Sequence, residues 1–314
     1  MLRPHRGVVK GPAAGTPTPA TLLCCRIVSG WVPALALLSA LILAIATILI
    51  RQGLRDHGPY TGYWVNLVVG TVGLWLLVAV TGGPGPLSAA GVGYFVLAGL
   101  IGTVAGRLLR FFAIDAVGAS ITAALGNLSP LVSAGLAILL LGERVTLPLV
   151  AGTLVIVAGT TLLSVGGRRV GVRPARLVLP LMSAVCLGVV AVIRKTALAD
   201  IGPVVGFAVN VTTALVAFSA FLLASGQCRA MVCRGRSLIL FIAAGVAENL
   251  GVLLIVVALS IGTVSVVAPL ANVSPIFVVG LSLIFLRGIE ILNGRIVLGT
   301  GLTVLGAVLI TALR

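Results

Sequence analysis

The stretch SALILAIATILIRQGLRDHGPYTGYWVN, residues 39–66, recurs without gaps as SAVCLGVVAVIRKTALADIGPVVGFAVN, residues 183–210. The identities fall on turn and polar residues as well as on apolar ones, and they include Asp56/Asp200, Gly58/Gly202, Pro59/Pro203, Gly62/Gly206 and Asn66/Asn210. Apolar helices resemble one another by composition alone, but matched prolines, acids and asparagines in the same order do not arise that way. The pattern therefore indicates an internal duplication.

The duplication extends towards the carboxyl end of the chain. NLSPLVSAGL, which begins at Asn127, recurs as NVSPIFVVGL from Asn272. Beyond it, three single residues of the first copy recur in the same order in the second, namely Glu143/Glu290, Gly152/Gly299 and Gly159/Gly306. These matches predict one repeat over residues 31–166 and a second over 177–313. We interpret residues 1–30 as a disordered N-terminal tail, or as the product of a misassigned start codon.

Composition places the protein in a membrane. Hydrophobic residues make up 60% of the 314-residue chain and charged residues only 9%, whereas soluble domains carry about 25% charged residues. The apolar residues form continuous runs of about 20, long enough to cross a bilayer as helices and without the alternation of a membrane β-barrel. We count ten such spans, at about 31–50, 64–82, 89–111, 118–141, 147–165, 177–195, 203–224, 237–258, 262–286 and 294–313.

Each repeat then holds five spans, so the second copy enters the membrane from the opposite side. The predicted fold class is all-α integral membrane, with ten transmembrane helices arranged as two inverted-topology five-helix repeats. Such repeats are typical of transporters that alternate access around a site at the repeat interface.

The segment GASITAALGNLSPLVSAGLAILLLGERVTLPLVAGTLVIVAGTTLL, residues 118–163, resembles the second part of an EamA repeat of the drug/metabolite transporter superfamily. The second copy keeps Pro275, Glu290, Gly299 and Gly306 but has LRGIE where the first has LGER. The resemblance implies a ten-helix bundle that moves small organic solutes, often outward, through a central cavity. It also implies cytoplasmic termini, whereas the distribution of basic residues favours the opposite orientation, so both orientations remain open.

Other functional classes lack the residues that they need. The net charge of +15 comes from arginines at the ends of apolar runs rather than from a basic domain, so we predict no nucleic-acid partner. The histidines, His5 and His57, lie in the tail and in a connection, which argues against a histidine-dependent hydrolase. We predict no cofactor and no metal site, and we interpret the cysteines as free thiols.

Glu248 is the least expected residue, because it lies near the centre of the eighth span, followed by Asn249. An intramembrane carboxylate is costly and is a functional candidate by default. It would bind a cationic group of the substrate, exchange a proton, or do both. The alternative is a structural carboxyl group, either paired with an arginine or kept protonated as a hydrogen-bond donor.

Opposite charge lies on the third span, where Arg107 and Arg110 are three residues apart and share a helical face. If these arginines and Glu248 face one cavity, they could hold the two ends of a zwitterion. In the alternative interpretation, the arginines extend to the membrane interface and pair with Asp115.

The two Asn-x-Ser-Pro motifs predict starts of the fourth and ninth helices. Their polar side chains could satisfy carbonyls that the prolines leave unpaired, or could face a solute. The residues concerned are Asn127, Ser129, Asn272 and Ser274. We expect close helix packing at Gly102, Gly106, Gly152 and Gly159. Asp56 and Asp200 should bond turn amides. Glu143 and Glu290 should lie just before the last helix of each repeat, where the helix dipole favours a carboxylate.

The sequence thus predicts a multi-pass protein of the cell membrane that exports small organic metabolites such as amino acids by alternating access. The site would lie between the third, fourth, eighth and ninth spans, and proton coupling through Glu248 is a hypothesis. A drug or lipid flippase, a solute channel and a non-transporting scaffold remain alternatives. The predicted partners are a small-molecule substrate and the lipid bilayer, with monomer and homodimer both open.

Overall fold

The computed structural model describes residues 19–54, 56–85, 87–117, 122, 125–126, 128–143, 146–165, 174–274, 276–277, 280–281 and 294–312. Within these ranges the protein is helical and contains no β-strand. In chain order the helices are α1 (Pro19–Gly53), α2 (Pro59–Val80), α3 (Ala89–Val117), α4 (Ser129–Leu141), α5 (Leu147–Val165), α6 (Val178–Ala197), α7 (Pro203–Ala224), α8 (Arg236–Ile261), α9 (Val264–Ala271) and α10 (Gly294–Ala312). Short 3₁₀ turns at Pro174–Leu177 and Cys228–Met231 precede α6 and α8.

Among the described residues, six helical segments are long and apolar enough to cross a membrane: Trp31–Gly53, Pro59–Val80, Ala89–Val117, Ala175–Ala197, Pro203–Ala224 and Arg236–Ile261. Shorter apolar helical segments lie at Ser129–Leu141, Leu147–Leu162 and Gly301–Ile310. The third helix ends at Val117 rather than near residue 111, and α1 begins at Pro19, inside the stretch interpreted as a tail. The predicted spans 118–141 and 262–286 are described only in part.

Turn residues explain where several helices begin and end. Pro59 and Pro203 occupy the first turns of α2 and α7, where a missing amide hydrogen costs nothing because that hydrogen has no helical acceptor. At the other end of α4, Gly142 adopts a left-handed conformation with a φ of 63°, which stops the helix at little steric cost.

The two repeats interlock rather than packing as separate bundles. Helix α1 packs mainly against α8 of the second repeat, while α6 packs against α3 of the first; α2 lies against α7, and α5 against α10. Every one of these pairs joins the two repeats. Polar residues buried on the facing sides of these helices therefore come to lie at the boundary between repeats.

Matched glycines allow this interlocking. A Cβ atom on Gly62 would lie 2.6 Å from the ring of Phe241 in α8, and one on Gly206 would overlap the ring of Phe95 in α3. Gly62 and Gly206 are equivalent positions of the repeats, so the contact is made reciprocally. This reciprocity is expected of two copies related by an approximate twofold axis.

Helices α5 and α10 approach most closely at glycines, as expected for Gly152 and Gly159. A Cβ on Gly152 would lie 2.8 Å from the carbonyl oxygen of Gly306, and one on Gly159 would lie 2.7 Å from that of Gly299. The expectation that these glycines permit close packing is confirmed. Gly102 plays the same part in α3, where an added Cβ would lie 2.5 Å from Val190 of α6.

In both proline motifs the serine lies at the start of a helical stretch. Ser129 is the first residue of α4, as predicted. In the second motif Asn272 is the C-terminal cap of α9, and helical conformation resumes at Ser274. The Nδ2 of Asn272 donates to the carbonyl oxygen of Ala268 at 2.9 Å, so this side chain satisfies backbone at the end of its own helix.

Glu143 binds a different helix from the one expected. Its Oε1 accepts a hydrogen bond from the amide of Val264 at 2.9 Å, and its Oε2 accepts from the amide and hydroxyl of Ser265. The carboxylate therefore caps the start of α9, across the repeat boundary, instead of α5. The turn after α4 lies beside the corner between α8 and α9, a placement that sequence spacing does not reveal.

Candidate functional site

Helix α3 changes its winding where it enters the centre of the bundle. Gly99–Arg107 is π-helical, between α-helical segments on either side. At its end the amide of Leu108 bonds to the carbonyls of Val104 and Ala105, and the carbonyl oxygen of Thr103 accepts the hydroxyl of Tyr63 from α2. Such π segments release backbone groups and are frequent at functional sites.

Glu248 lies in the interior, with 1% of its surface exposed. The Nδ2 of Asn66 in α2 donates to its Oε2 at 2.7 Å. The neighbouring Asn249 donates through its own Nδ2 to Oδ1 of Asn66 at 3.2 Å and to the carbonyl of Gly245 at 2.8 Å. The carboxylate is thus held by a polar group of the other repeat.

Arg110 completes the environment of Glu248. Its Nη1 lies 3.1 Å from Oε1 of the carboxylate in an ion pair, and its Nη2 donates to Oγ1 of Thr47 in α1 at 2.9 Å. Arg110 therefore does not extend to the interface to pair with Asp115, which is exposed. The ion pair joins α3 of one repeat to α8 of the other.

Arg107 and Arg194 are more deeply buried and lack carboxylate partners among the described residues, with 4% and 7% exposed. Their guanidinium carbons lie 6.0 Å and 5.4 Å from the centre of the Phe207 ring. Arg107 donates from Nη1 to Oδ1 of Asn249 at a long 3.4 Å. In the described structure, Nη2 of Arg107 and Nε of Arg194 have no hydrogen-bond partner.

Asn210, the counterpart of Asn66, organises a second set of contacts. Its Oδ1 accepts from Oγ1 of Thr103 at 2.7 Å and from Nη2 of Arg194 at 3.2 Å. Thr103 occupies the position in α3 that Glu248 occupies in α8, so each asparagine binds the third helix of the opposite repeat. The two halves differ in charge, since a neutral hydroxyl replaces the carboxylate.

The predicted site residues fall into two groups. Glu248, Asn249, Arg107 and Arg110 come together in this cluster. The residues of the proline motifs lie elsewhere. Asn272 bonds within α9, and Ser274 lies just beyond that helix. Ser129 begins α4 with its carbonyl facing Gly188 of α6, and Asn127 is outside the described residues.

Sequence reasoning missed several members of the cluster. Asn66 and Asn210 are identical at matched positions of the repeats, and that identity was a signal that could have found them. Arg194 lies near the end of its apolar run, where a basic residue is typical of a topology signal. Thr103 and Thr47 carry no sequence signal, because buried threonines are common in membrane helices.

A separate groove of about 380 Å³ lies between α2 and α7, away from these charges. It is lined by Trp75, Val209, Thr212, Thr213, Val216 and Ala217. Its lining contains no ionisable group, and Trp75 and Val216 are exposed. The groove thus presents apolar surface, whereas the buried ionisable groups are in the charged cluster.

The fold and the buried charges together define a class of protein. It is a multi-pass membrane protein of two interlocked repeats, with ionisable groups buried at the boundary that the repeats share. Intramembrane charges at such a boundary are typical of solute pathways. Glu248, Arg107 and Arg194 are all buried, whereas Arg110 is 26% exposed.

Comparison with known proteins agrees with this class. The EamA-like transporter family matches the chain twice, over residues 30–165 and 176–312. The chain belongs to this family, which is part of the drug/metabolite transporter superfamily. Members of the family are transporters rather than enzymes.

The fold is also found among solved structures. One crystal structure superposes with a TM-score of 0.74 and 18% sequence identity, covering 90% of this chain and 97% of its own. At that identity the match supports the shared fold alone. No curated protein matches the sequence.

Proposed function

We propose that the protein is a secondary transporter that exports small organic metabolites, such as amino acids, across the cytoplasmic membrane by alternating access. The ten spans and the inverted topology predicted from the sequence are part of this proposal. The single observation that carries it is the ion pair between Arg110 of the first repeat and Glu248 of the second. This charge pair at the repeat boundary is a contact that a rocking motion of the repeats can form in one state and break in the other.

The contacts around Glu248 support a role in coupling. A proton on Glu248 removes the negative charge that holds Arg110 and Asn66. The link between α3 and α8 then weakens, which favours separation of the repeats. We propose that proton exchange at Glu248 accompanies solute movement, with the two states distinguished by this link.

The experiment is counterflow in proteoliposomes that contain the purified full chain. Vesicles loaded with one unlabelled metabolite from a panel of amino acids, nucleosides, sugars and organic acids receive the same labelled metabolite outside. A transporter accumulates label transiently above equilibrium, and uptake saturates. Non-saturating flux without counterflow indicates a channel, movement of labelled lipid alone indicates a flippase, and no movement of any solute contradicts the proposal.

A further inference from the structure

The charges in the central cluster do not balance. Among the described residues it holds three guanidinium groups, those of Arg107, Arg110 and Arg194, and one carboxylate, that of Glu248. This carboxylate already forms an ion pair with Arg110, whose Nη1 lies 3.1 Å from its Oε1. Two buried cations remain with neutral partners only, and such an arrangement is expensive in a membrane interior.

The hydrogen bonds of these two cations are also incomplete. Arg107 reaches one amide oxygen at 3.4 Å and leaves Nη2 without a partner. Arg194 reaches Asn210 at 3.2 Å and Thr103 at 3.5 Å and leaves Nε without a partner. A guanidinium group has five N–H donors and no acceptor, so a missing partner has to be an acceptor, and an anionic one is the strongest.

The two cations border the same ring and the same stretch of α3. Both guanidinium carbons are within 6.0 Å of the centre of the Phe207 ring, and Nη2 of Arg194 reaches Thr103, four residues before Arg107 in that helix. The aromatic ring attracts both cations without neutralising them. An anion held by both would relieve the repulsion between their charges and supply acceptors for the vacant donors.

We propose that Arg107 and Arg194 form an anion-binding pair for the carboxylate or phosphate group of the transported solute. The inference rests on the proposed transport function and adds the substrate class, a small organic anion or zwitterion with an exposed anionic group. Arg107 belongs to α3 of the first repeat and Arg194 to α6 of the second. An anion between them therefore contacts both repeats, and its affinity depends on how the repeats are placed.

The test uses solutes that differ only in the anionic group. The pairs are succinate with succinamide, leucine with leucinamide, and glycerol 3-phosphate with glycerol. Thermal unfolding of the purified full chain in detergent is measured with each, at concentrations up to saturation. At least one anionic member raises the Tm by about 4 °C at a hundredfold excess over its Kd, while its partner does not.

Two variants and one control assign the effect to the pair. Arg107→Gln and Arg194→Gln each weaken the affinity for the anion by about ten- to a hundredfold, the cost of losing a charged hydrogen bond. Arg51→Gln is the control, because Arg51 is an exposed arginine at the end of α1, and it keeps the wild-type shift. The proposal is wrong if uncharged partners stabilise equally, if no anion stabilises, or if both variants retain the shift.

A lipid headgroup could supply the same anion. The measurement is therefore repeated in nanodiscs of phosphatidylcholine with and without phosphatidylglycerol. If phosphatidylglycerol stabilises the protein through Arg107 and Arg194 while no soluble anion does, the pair holds a lipid and the solute proposal is wrong. Counterflow of the same solute pairs separates the two proposals. If only the uncharged members exchange, the protein is a transporter and the anion-binding pair is wrong. If an anion binds through the pair but does not exchange, the pair is supported and the transport function is wrong.

Discussion

Asn66 in α2 donates a hydrogen bond of 2.7 Å to Glu248 in α8, and its counterpart Asn210 in α7 accepts one of 2.7 Å from Thr103 in α3. In both halves the equivalent asparagine thus binds the third helix of the opposite repeat. Only one of the two contacts involves a charge. The duplication therefore supplies a symmetric frame, and the two copies differ in charge at its centre.

Replacing Asn66 by Ala should lower the free energy of unfolding by about 1–3 kcal/mol, because a buried carboxylate loses a donor. Asn249 loses its bond to Oδ1 of the same side chain. The measurement is the shift in Tm of the purified protein in detergent. Asn272→Ala is the matched control, since in the described part of the chain the side chain of Asn272 bonds within α9. A larger loss of stability from Asn272→Ala than from Asn66→Ala would contradict the expectation.

Replacing Gly159 by Ala should also destabilise the protein, by about 1–3 kcal/mol. The new methyl group would lie 2.7 Å from the carbonyl of Gly299, and backbone cannot move aside as a flexible side chain can. Gly73→Ala provides the comparison, because a Cβ there meets nothing within 4 Å. The control should be neutral or slightly stabilising through helix propensity, and equal Tm values for the two variants would show that α5 and α10 do not pack as described.

Glu143→Gln tests the cap of α9. The amide side chain has one acceptor oxygen instead of two and no charge, so it cannot serve both Val264 and Ser265 as the carboxylate does. We expect a loss of about 1–2 kcal/mol from the cap and the helix dipole. Asp115→Asn removes an exposed acid and should leave the Tm unchanged; a similar change in both variants would indicate a general effect of charge.

The repeats, the membrane environment and the candidate residues Glu248, Arg107 and Arg110 could be found from the sequence, because each depends on local pattern. A charge in an apolar run is visible wherever it occurs. The sequence did not show which helices pack against each other. That packing brings Glu143 to the start of α9 and Arg194 into the cluster. Such contacts depend on the packing of distant segments, for which spacing along one chain carries no signal.

The ion pair of Arg110 and Glu248 is best tested by a double-mutant cycle. Arg110→Gln leaves the buried carboxylate without its guanidinium and should destabilise the protein by about 3–5 kcal/mol. Glu248→Gln leaves a guanidinium that is 26% exposed and should cost less. The double variant removes both charges and should be less destabilised than the sum of the single changes. Additive losses in Tm would contradict an energetic link across the repeat boundary.

The same variants test proton coupling when transport is measured instead of stability. A glutamine at position 248 cannot exchange a proton, so Glu248→Gln should retain some counterflow while losing its response to an imposed pH gradient. Arg110→Gln keeps the carboxylate and should keep that response. If Glu248→Gln shows the wild-type response, the proton is carried elsewhere and Glu248 serves only to hold α3 against α8.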